Sequence, residues 1–262
     1  MERMRTRAWV LAAACLMYAA AAAAQPTLPH ENHYTVYRTS PIIVVKPVSL
    51  VDQFGPITWT DFVLERFANP AEKIHPETGE VFPIIDPIIH QTWWRIHAPQ
   101  PARTIVGIDQ FGTSQWHLGD AAYLINPALK NVVPDPFGGP PPPVWNHYVC
   151  YEALGPTVGR PVIVVDQFGT SNVVVIQGKL FCNPAEKRAD GIIYPIIDHA
   201  AHLACYLIQN ATPMTRSITA IDQFGYWQLQ TYENDCLCVP AFKEHVIGTT
   251  ESTWGKIKAM YR

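Results

Sequence analysis

The chain carries short apolar runs, and several of them end on the same four residues. Val162-Ile163-Val164-Val165 leads into Asp166-Gln167-Phe168-Gly169, and Ile105-Val106-Gly107-Ile108 leads into Asp109-Gln110-Phe111-Gly112. A shorter run precedes each of these, such as His147 to Tyr151. A longer one follows, Trp59 to Ala68 or Val173 to Cys182, and stops before a proline. Runs of this length, rich in Val, Ile, Tyr, Trp and Thr and bounded by Gly and Pro, predict strands. Each unit is therefore expected to hold three. The third should end at its proline, which cannot donate to a ladder. Asp-Gln-Phe-Gly falls between the second and third strands. Its Asp can bond backbone N–H groups two residues on and its Gly admits positive φ, so it predicts a hairpin turn with a bulge.

The motif is a repeat marker. It begins at Asp52, Asp109, Asp166 and Asp222, spacings of 57, 57 and 56 residues, and closes at Gly55, Gly112, Gly169 and Gly225. A Pro-Ala-x-Lys element ends at Lys73, Lys130, Lys187 and Lys243, 21 residues after each Asp. His33, His90, His147 and His202 precede the motif, and Tyr37, Trp94, Tyr151 and Tyr206 stand four residues after each histidine. Units one and three are alike in ways that two and four are not. Asn32-His33-Tyr34 matches Asn146-His147-Tyr148, and Pro83-Ile84-Ile85-Asp86 matches Pro195-Ile196-Ile197-Asp198. Residues Val133 to Pro143 are proline-rich, and four consecutive prolines favour a stiff extended spacer.

The expected fold is all-β, with tandem β-sandwich or barrel-like modules, about three strands per 57-residue unit and four units. The expected organisation is a signal peptide at 1–24, β-module 1 at 25–133 with units one and two, a Pro-rich linker at 134–145, β-module 2 at 146–245 with units three and four, and a tail at 246–262.

Composition adds the compartment. Arg3, Arg5 and Arg7 precede a mostly alanine run from Ala8 to Ala24, which reads as a secretory signal cut after Ala24. No later segment approaches the length of a membrane span, so no transmembrane segment is expected after cleavage. The formal net charge of −3 comes without any basic block, which argues against nucleic acid as a partner.

The repeat register also pairs the cysteines. Cys150 and Cys205 lie three residues after their histidines, where units one and two have Val36 and Trp93. Cys182 and Cys238 lie 16 residues after their motif Asp, where units one and two have Ala68 and Ile125. Both positions are Cys in units three and four and apolar in one and two. This concerted change predicts Cys150–Cys182 and Cys205–Cys238 disulfides, suited to an exported protein. Cys236 is left over, and Asp235 beside it should raise its pKa.

Little points to catalysis. No Gly-x-Ser-x-Gly, Walker or Gly-x-Gly-x-x-Gly motif is present. One Asp and one Gln per turn are too few for calcium, and histidines 57 residues apart lack zinc spacing, so neither metal nor cofactor is expected. Trp59, Trp94 and Trp116 remain candidates for stacking on a ligand such as a sugar, while Trp93, standing where later units have Cys, reads as core. Asn210-Ala211-Thr212 fits a glycosylation sequon. In the tail, Trp254, Ile257 and Tyr261 share a helical face, which suits docking on the last module.

The pattern His-x-x-Cys-Tyr, Asp-Gln-Phe-Gly, Leu-Cys-x-Pro-Ala-x-Lys runs here from His202 to Tyr206, Asp222 to Gly225 and Leu237 to Lys243. It resembles a domain of unknown function found in exported bacterial and archaeal proteins. The resemblance covers nearly all of the mature chain, and units one and two depart from it at the cysteines. It implies export and β-modules. The expected function is a non-enzymatic β-repeat protein, secreted, periplasmic or on the cell surface, with a structural or interaction role toward a protein or glycan partner. A carbohydrate-binding module pair is the first alternative and an extracellular hydrolase the second.

Overall fold

The computed structural model describes residues 31–131, 145–211 and 213–247. The signal peptide, most of the proline-rich linker, the sequon's Thr212 and all but the first two tail residues lie outside the described residues. Among the described residues there are thirteen strands and no helix. Unit one merges its first two strands into β1 (His33–Asp52), followed by β2 (Gly55–Ile74) and the short β3 (Val81–Phe82). Unit two supplies β4 (His90–Ala98), β5 (Arg103–Asp109) and β6 (Gly112–Lys130). Unit three supplies β7 (His147–Leu154), β8 (Thr157–Asp166), β9 (Gly169–Ala189) and a short β10 (Ile192–Tyr194). Unit four supplies β11 (His202–Gln209), β12 (Arg216–Asp222) and β13 (Gly225–Ile247).

The third strands do not end at their prolines. They run through Pro70, Pro127, Pro184 and Pro240, because each proline sits where its strand changes partner on one side. On β2 that partner changes from β4, ending at Ala68↔Gln91, to β8, beginning at Glu72↔Val165. A missing N–H in that gap breaks no ladder. The Asp-Gln-Phe-Gly turns also differ from expectation. Asp pairs directly with Gly across a two-residue Gln-Phe tip in all four units, without a bulge.

Every strand pair is antiparallel, and the main pairings run in a circuit: β1 with β2, then β4, β6, β7, β9, β11, β13 and back to β1. The first and third strands of the units alternate around it. This is not a regular barrel, since register shifts break the ladders and the long strands leave the circuit as hairpins. The hairpins reach diagonally. Ser49–Val51 of unit one pairs with Glu186–Arg188 of unit three, and β8 of unit three returns the pairing to Glu72–Ile74. Units two and four do the same through β5 with β13 and β12 with β6. Hydrogen bonds therefore cross between the halves on either side of the proline-rich segment, at β6–β7 as well as at β1–β13.

Because strand side chains alternate, the circuit has two cores. Positions one and three after each histidine face inward, where Tyr34, Val36, Trp93, Tyr148, Cys150, Leu203 and Cys205 pack with Ala68, Ile125, Cys182 and Cys238. Positions two and four face outward, where Trp94, Tyr151 and Tyr206 join the larger core beneath the hairpins. Trp116 is fully buried in that outer core, edge-on to Phe181 and Tyr206, with ring centroids 5.4 Å from each. Its ring lies against Gly155 and Gly178, whose backbones meet through a 3.0 Å hydrogen bond. A Cβ added at Gly155 would stand 2.5 Å from the ring, and one at Gly178 would overlap it as well. Gly178→Ala is expected to lower unfolding free energy by about 1–3 kcal/mol, the usual cost of overpacking. Urea denaturation measures it, and an unchanged midpoint would refute this account of the cradle.

Candidate functional site

The repeated polar residues converge on the four Asp-Gln-Phe-Gly turns. In each turn Asp Oδ1 accepts the N–H of the Phe two residues on, at 2.7 Å in units one to three and 2.8 Å in unit four. The following Gly has φ of 116°, 121°, 138° and 149° in chain order, a region that side-chain-bearing residues avoid. So the side chain of Asp, rather than a bulge, satisfies the tip.

The second carboxylate oxygen is used by the diagonal unit. Tyr151 donates to Asp52 at 2.8 Å, Tyr37 to Asp166 at 2.8 Å, Tyr206 to Asp109 at 2.5 Å, and Trp94 Nε1 to Asp222 at 2.8 Å. The aromatic found four residues after each histidine is thus the partner of the Asp two units away. Each of these rings also meets the turn's Phe edge-on, with centroids about 5 Å apart. An asparagine before three of the prolines adds a further donor: Asn183 to Asp52, Asn69 to Asp166 and Asn126 to Asp222.

The lysines link neighbouring units. Lys130 donates to Asn69, Lys187 to Asn126 and Lys243 to Asn183, at 2.8–3.1 Å. Each amine also stands over the motif Phe of the next unit. Lys73 is 4.7 Å from Phe111, Lys130 4.6 Å from Phe168, Lys187 4.2 Å from Phe224 and Lys243 4.3 Å from Phe54. The array therefore closes from unit four to unit one. It has one seam. Unit four has Val239 in place of asparagine, so Lys73 meets His75 at 3.1 Å and Asp109 has no asparagine donor. Gln110 bonds His33 at this seam, and its Oε1 is buried without a protein partner.

Burial sets the electrostatics of this array. It pushes the Lys73, Lys187 and Lys243 amines down to about 7 and Lys130 to about 8. It raises the Asp109 and Asp166 carboxyls, which the Tyr206 hydroxyl and the Phe168 N–H respectively offset in part. The repeat histidines fall to about 3 at His33, His90 and His202, and well below their ordinary range at His147. Tyr37, Tyr151 and Tyr206 are pushed up. Between about pH 7 and the ordinary lysine value, the unfolded chain holds protons that the folded chain has released, so stability rises with pH. Above about pH 10 the unfolded tyrosines ionise first and stability falls. Below about 6.5 the unfolded histidines take up protons and it falls again. The raised carboxyls oppose this only in the acid range. The urea midpoint is expected to peak near pH 9–10, and a steady fall between pH 7 and 9 would contradict neutral buried amines.

Both expected disulfides are present, Cys150–Cys182 and Cys205–Cys238, each joining directly opposed residues. Cys236 is free and buried among them, and its thiol is pushed up by burial and by Asp235, which Arg66 holds at 3.0 Å. Trp94 and Trp116, expected as candidates for stacking on a ligand, have no exposed surface, so neither offers a ring face. Trp59 is partly exposed and donates to the Asp61 carbonyl at 2.8 Å.

Sequence reasoning missed two features. Glu31 lies outside the repeat register and accepts the hydroxyls of Tyr34 at 3.0 Å and Tyr148 at 2.7 Å, tying units one and three together at the inner core. Asn32 and Asn146 each clasp a loop, accepting two N–H groups and donating to a carbonyl at Asp86 and Asp198 respectively. The signal for the clasp was in the sequence: Asn-His-Tyr and Pro-Ile-Ile-Asp occur together, and only in units one and three.

The open grooves are elsewhere. One, about 410 Å³, is lined by residues including Ser40, Asn131, Thr219, Gln228 and Gln230, with no ionisable side chain, whereas two others include Arg188 and Asp190, and Glu152 and Lys179, in their linings. Among the described residues no group of three or more His, Cys, Asp and Glu is placed to hold a metal.

Residues 90–240, more than half of the chain, match a family described as a repeat of unknown function (DUF7450). The chain belongs to this family. The DUF7450 match begins at His90 and ends at Pro240, so its limits fall on the repeat landmarks described above. No curated protein and no solved structure matches the chain.

Proposed function

We propose that the protein is an exported, non-enzymatic β-repeat protein with a structural or interaction role at the cell surface or outside the cell. The observation that carries this reading is the use of the repeated polar groups. The four motif carboxylates and three of the four lysines around them are bonded to other units of the same chain, so the motif serves assembly of the four units. Two disulfides fit an oxidising compartment. No helix among the described residues is long and apolar enough to cross a membrane. The groove lined by Ser40, Asn131, Thr219, Gln228 and Gln230 carries no ionisable side chain, which favours contact with a partner over chemistry there. The glycan-binding alternative keeps only Trp59 of its three tryptophans.

Crosslinking in the native envelope or culture fluid, followed by pull-down, tests the reading because it presumes no ligand class. A recurrent envelope or extracellular protein partner is the expected result. Recovery only from the cytosol would overturn export. Glycan binding lost on Trp59→Ala would favour the alternative.

A further inference from the structure

The fourth hairpin, β12 with β13, has a face that the other three do not reproduce. After its motif Asp, every second residue of β13 reads Tyr226, Gln228, Gln230 and Tyr232. At the two tyrosine places unit one has Pro56 and Phe62, unit two Thr113 and Gly119, and unit three Thr170 and Ile176. The one aromatic among these, Phe62, is fully buried. Closing the repeat therefore does not call for exposed aromatics at these places.

The residues between the four face the other way. Leu229 belongs to the outer core, Trp227 packs against it and Thr231 is fully buried. Strand alternation puts Tyr226, Gln228, Gln230 and Tyr232 together on the solvent side. Both tyrosines are exposed, at 38% and 40%. Six residues of strand separate them by about 20 Å. Gln228 and Gln230, between them, line the neutral groove of about 410 Å³. Across the hairpin Thr219 pairs with Gln228 and Ser217 with Gln230. Ser40 and Asn131 complete the polar lining. Asn131 is fixed there, since its N–H donates to the Thr219 carbonyl at 2.8 Å and its Oδ1 accepts the Thr219 N–H at 3.3 Å.

Side-chain amides and hydroxyls both donate and accept hydrogen bonds. An uncharged polyol offers the same two roles at each hydroxyl, and the C–H faces of sugar rings suit exposed aromatic rings. A charged ligand would shed its water against a lining that returns no counter-charge. We propose that this face binds a neutral oligosaccharide, with sugar rings on Tyr226 and Tyr232 and hydroxyls on Gln228, Gln230, Ser217 and Thr219. The proposal rests on the interaction role given above and gives it a partner and a place, away from Trp59.

The test presents the purified mature chain with neutral oligosaccharides of glucose, mannose and N-acetylglucosamine, beside sulfated and uronic-acid oligosaccharides. The best neutral probe is then followed by titration calorimetry. A neutral probe is expected to bind more tightly than any charged one. Gln228→Ala is expected to weaken it roughly two- to tenfold, the worth of one neutral hydrogen bond. Tyr226→Ala with Tyr232→Ala is expected to weaken it further, and Trp59→Ala to leave it unchanged. The Tyr and Gln side chains are exposed, so the urea midpoints of these variants are expected to stay close to the parent's. Equal binding by the parent and the double tyrosine variant, or a preference for charged probes, overturns the site. If no glycan binds while crosslinking recovers a protein partner, this proposal falls and the interaction role stands. If neither experiment finds a partner, both fall.

Discussion

Replacing Asp222 with alanine is expected to lower the unfolding free energy by about 3–5 kcal/mol, the cost of breaking a buried, bonded charge. Its Oδ2 accepts Trp94 Nε1 at 2.8 Å, Thr92 Oγ1 at 2.5 Å and Asn126 Nδ2 at 3.2 Å. Its Oδ1 accepts the Phe224 and Gly225 N–H groups and Trp227 Nε1, at 2.8, 3.2 and 2.9 Å. Alanine strands donors from units two and four together, and each unsatisfied buried donor costs about 1–3 kcal/mol. Part of this is recovered as water enters or the turn relaxes. Asp190, whose own side chain is largely exposed in its ion pair with Lys46, is the control, and Asp190→Asn, which tolerates the residue's φ of 54°, is expected to cost at most about 1 kcal/mol. Urea denaturation of both variants decides the matter. A loss at Asp222 no larger than at Asp190 would mean that the diagonal bonds do not hold the units together.

Substituting Cys150→Val with Cys182→Ala, which installs unit one's own Val36 and Ala68 pair in unit three, is expected to cost about 3–4 kcal/mol. The bond closes 32 residues, and the chain-entropy model assigns a loop of that length a loss of this size. The apolar replacements limit the additional cavity penalty, since the same pair already packs in unit one. The equivalent change at Cys205 and Cys238, which close 33 residues, should cost the same. Both together approach the whole stability of an ordinary domain, so the doubly substituted chain is expected to be largely unfolded at 37 °C. Thermal unfolding followed by circular dichroism measures this. A doubly substituted chain that melts within a few degrees of the parent would show that the circuit needs neither crosslink.

Much of the local structure was legible in the sequence because it is set within a few residues. Asp and Gly at the turn follow from side-chain reach and positive φ, and the apolar runs specify strands. The disulfides were legible for a different reason. A repeat gives each strand pair the same register, so positions that change together from unit to unit are positions that face each other, as Val36 faces Ala68 and Cys150 faces Cys182. The passage of the third strands through their prolines was not legible. It depends on where each strand changes partner, and no local pattern records that.

The sequence by itself determined the four units, their strands, their turns, the paired cysteines and the likeness of unit one to three and of two to four. Only the tertiary structure decided what that likeness means. Around a closed circuit of four, alternate units lie diagonally, and it is diagonal units whose hairpins pair and whose aromatics bond each other's Asp. Trp94 was a candidate ligand face in the sequence because a strand pattern fixes which residues share a side, not what covers that side. The closing of β13 onto β1 brings unit four's turn, more than a hundred residues away, over Trp94. The contact is a product of that closure, and its donor, acceptor and burial follow from it.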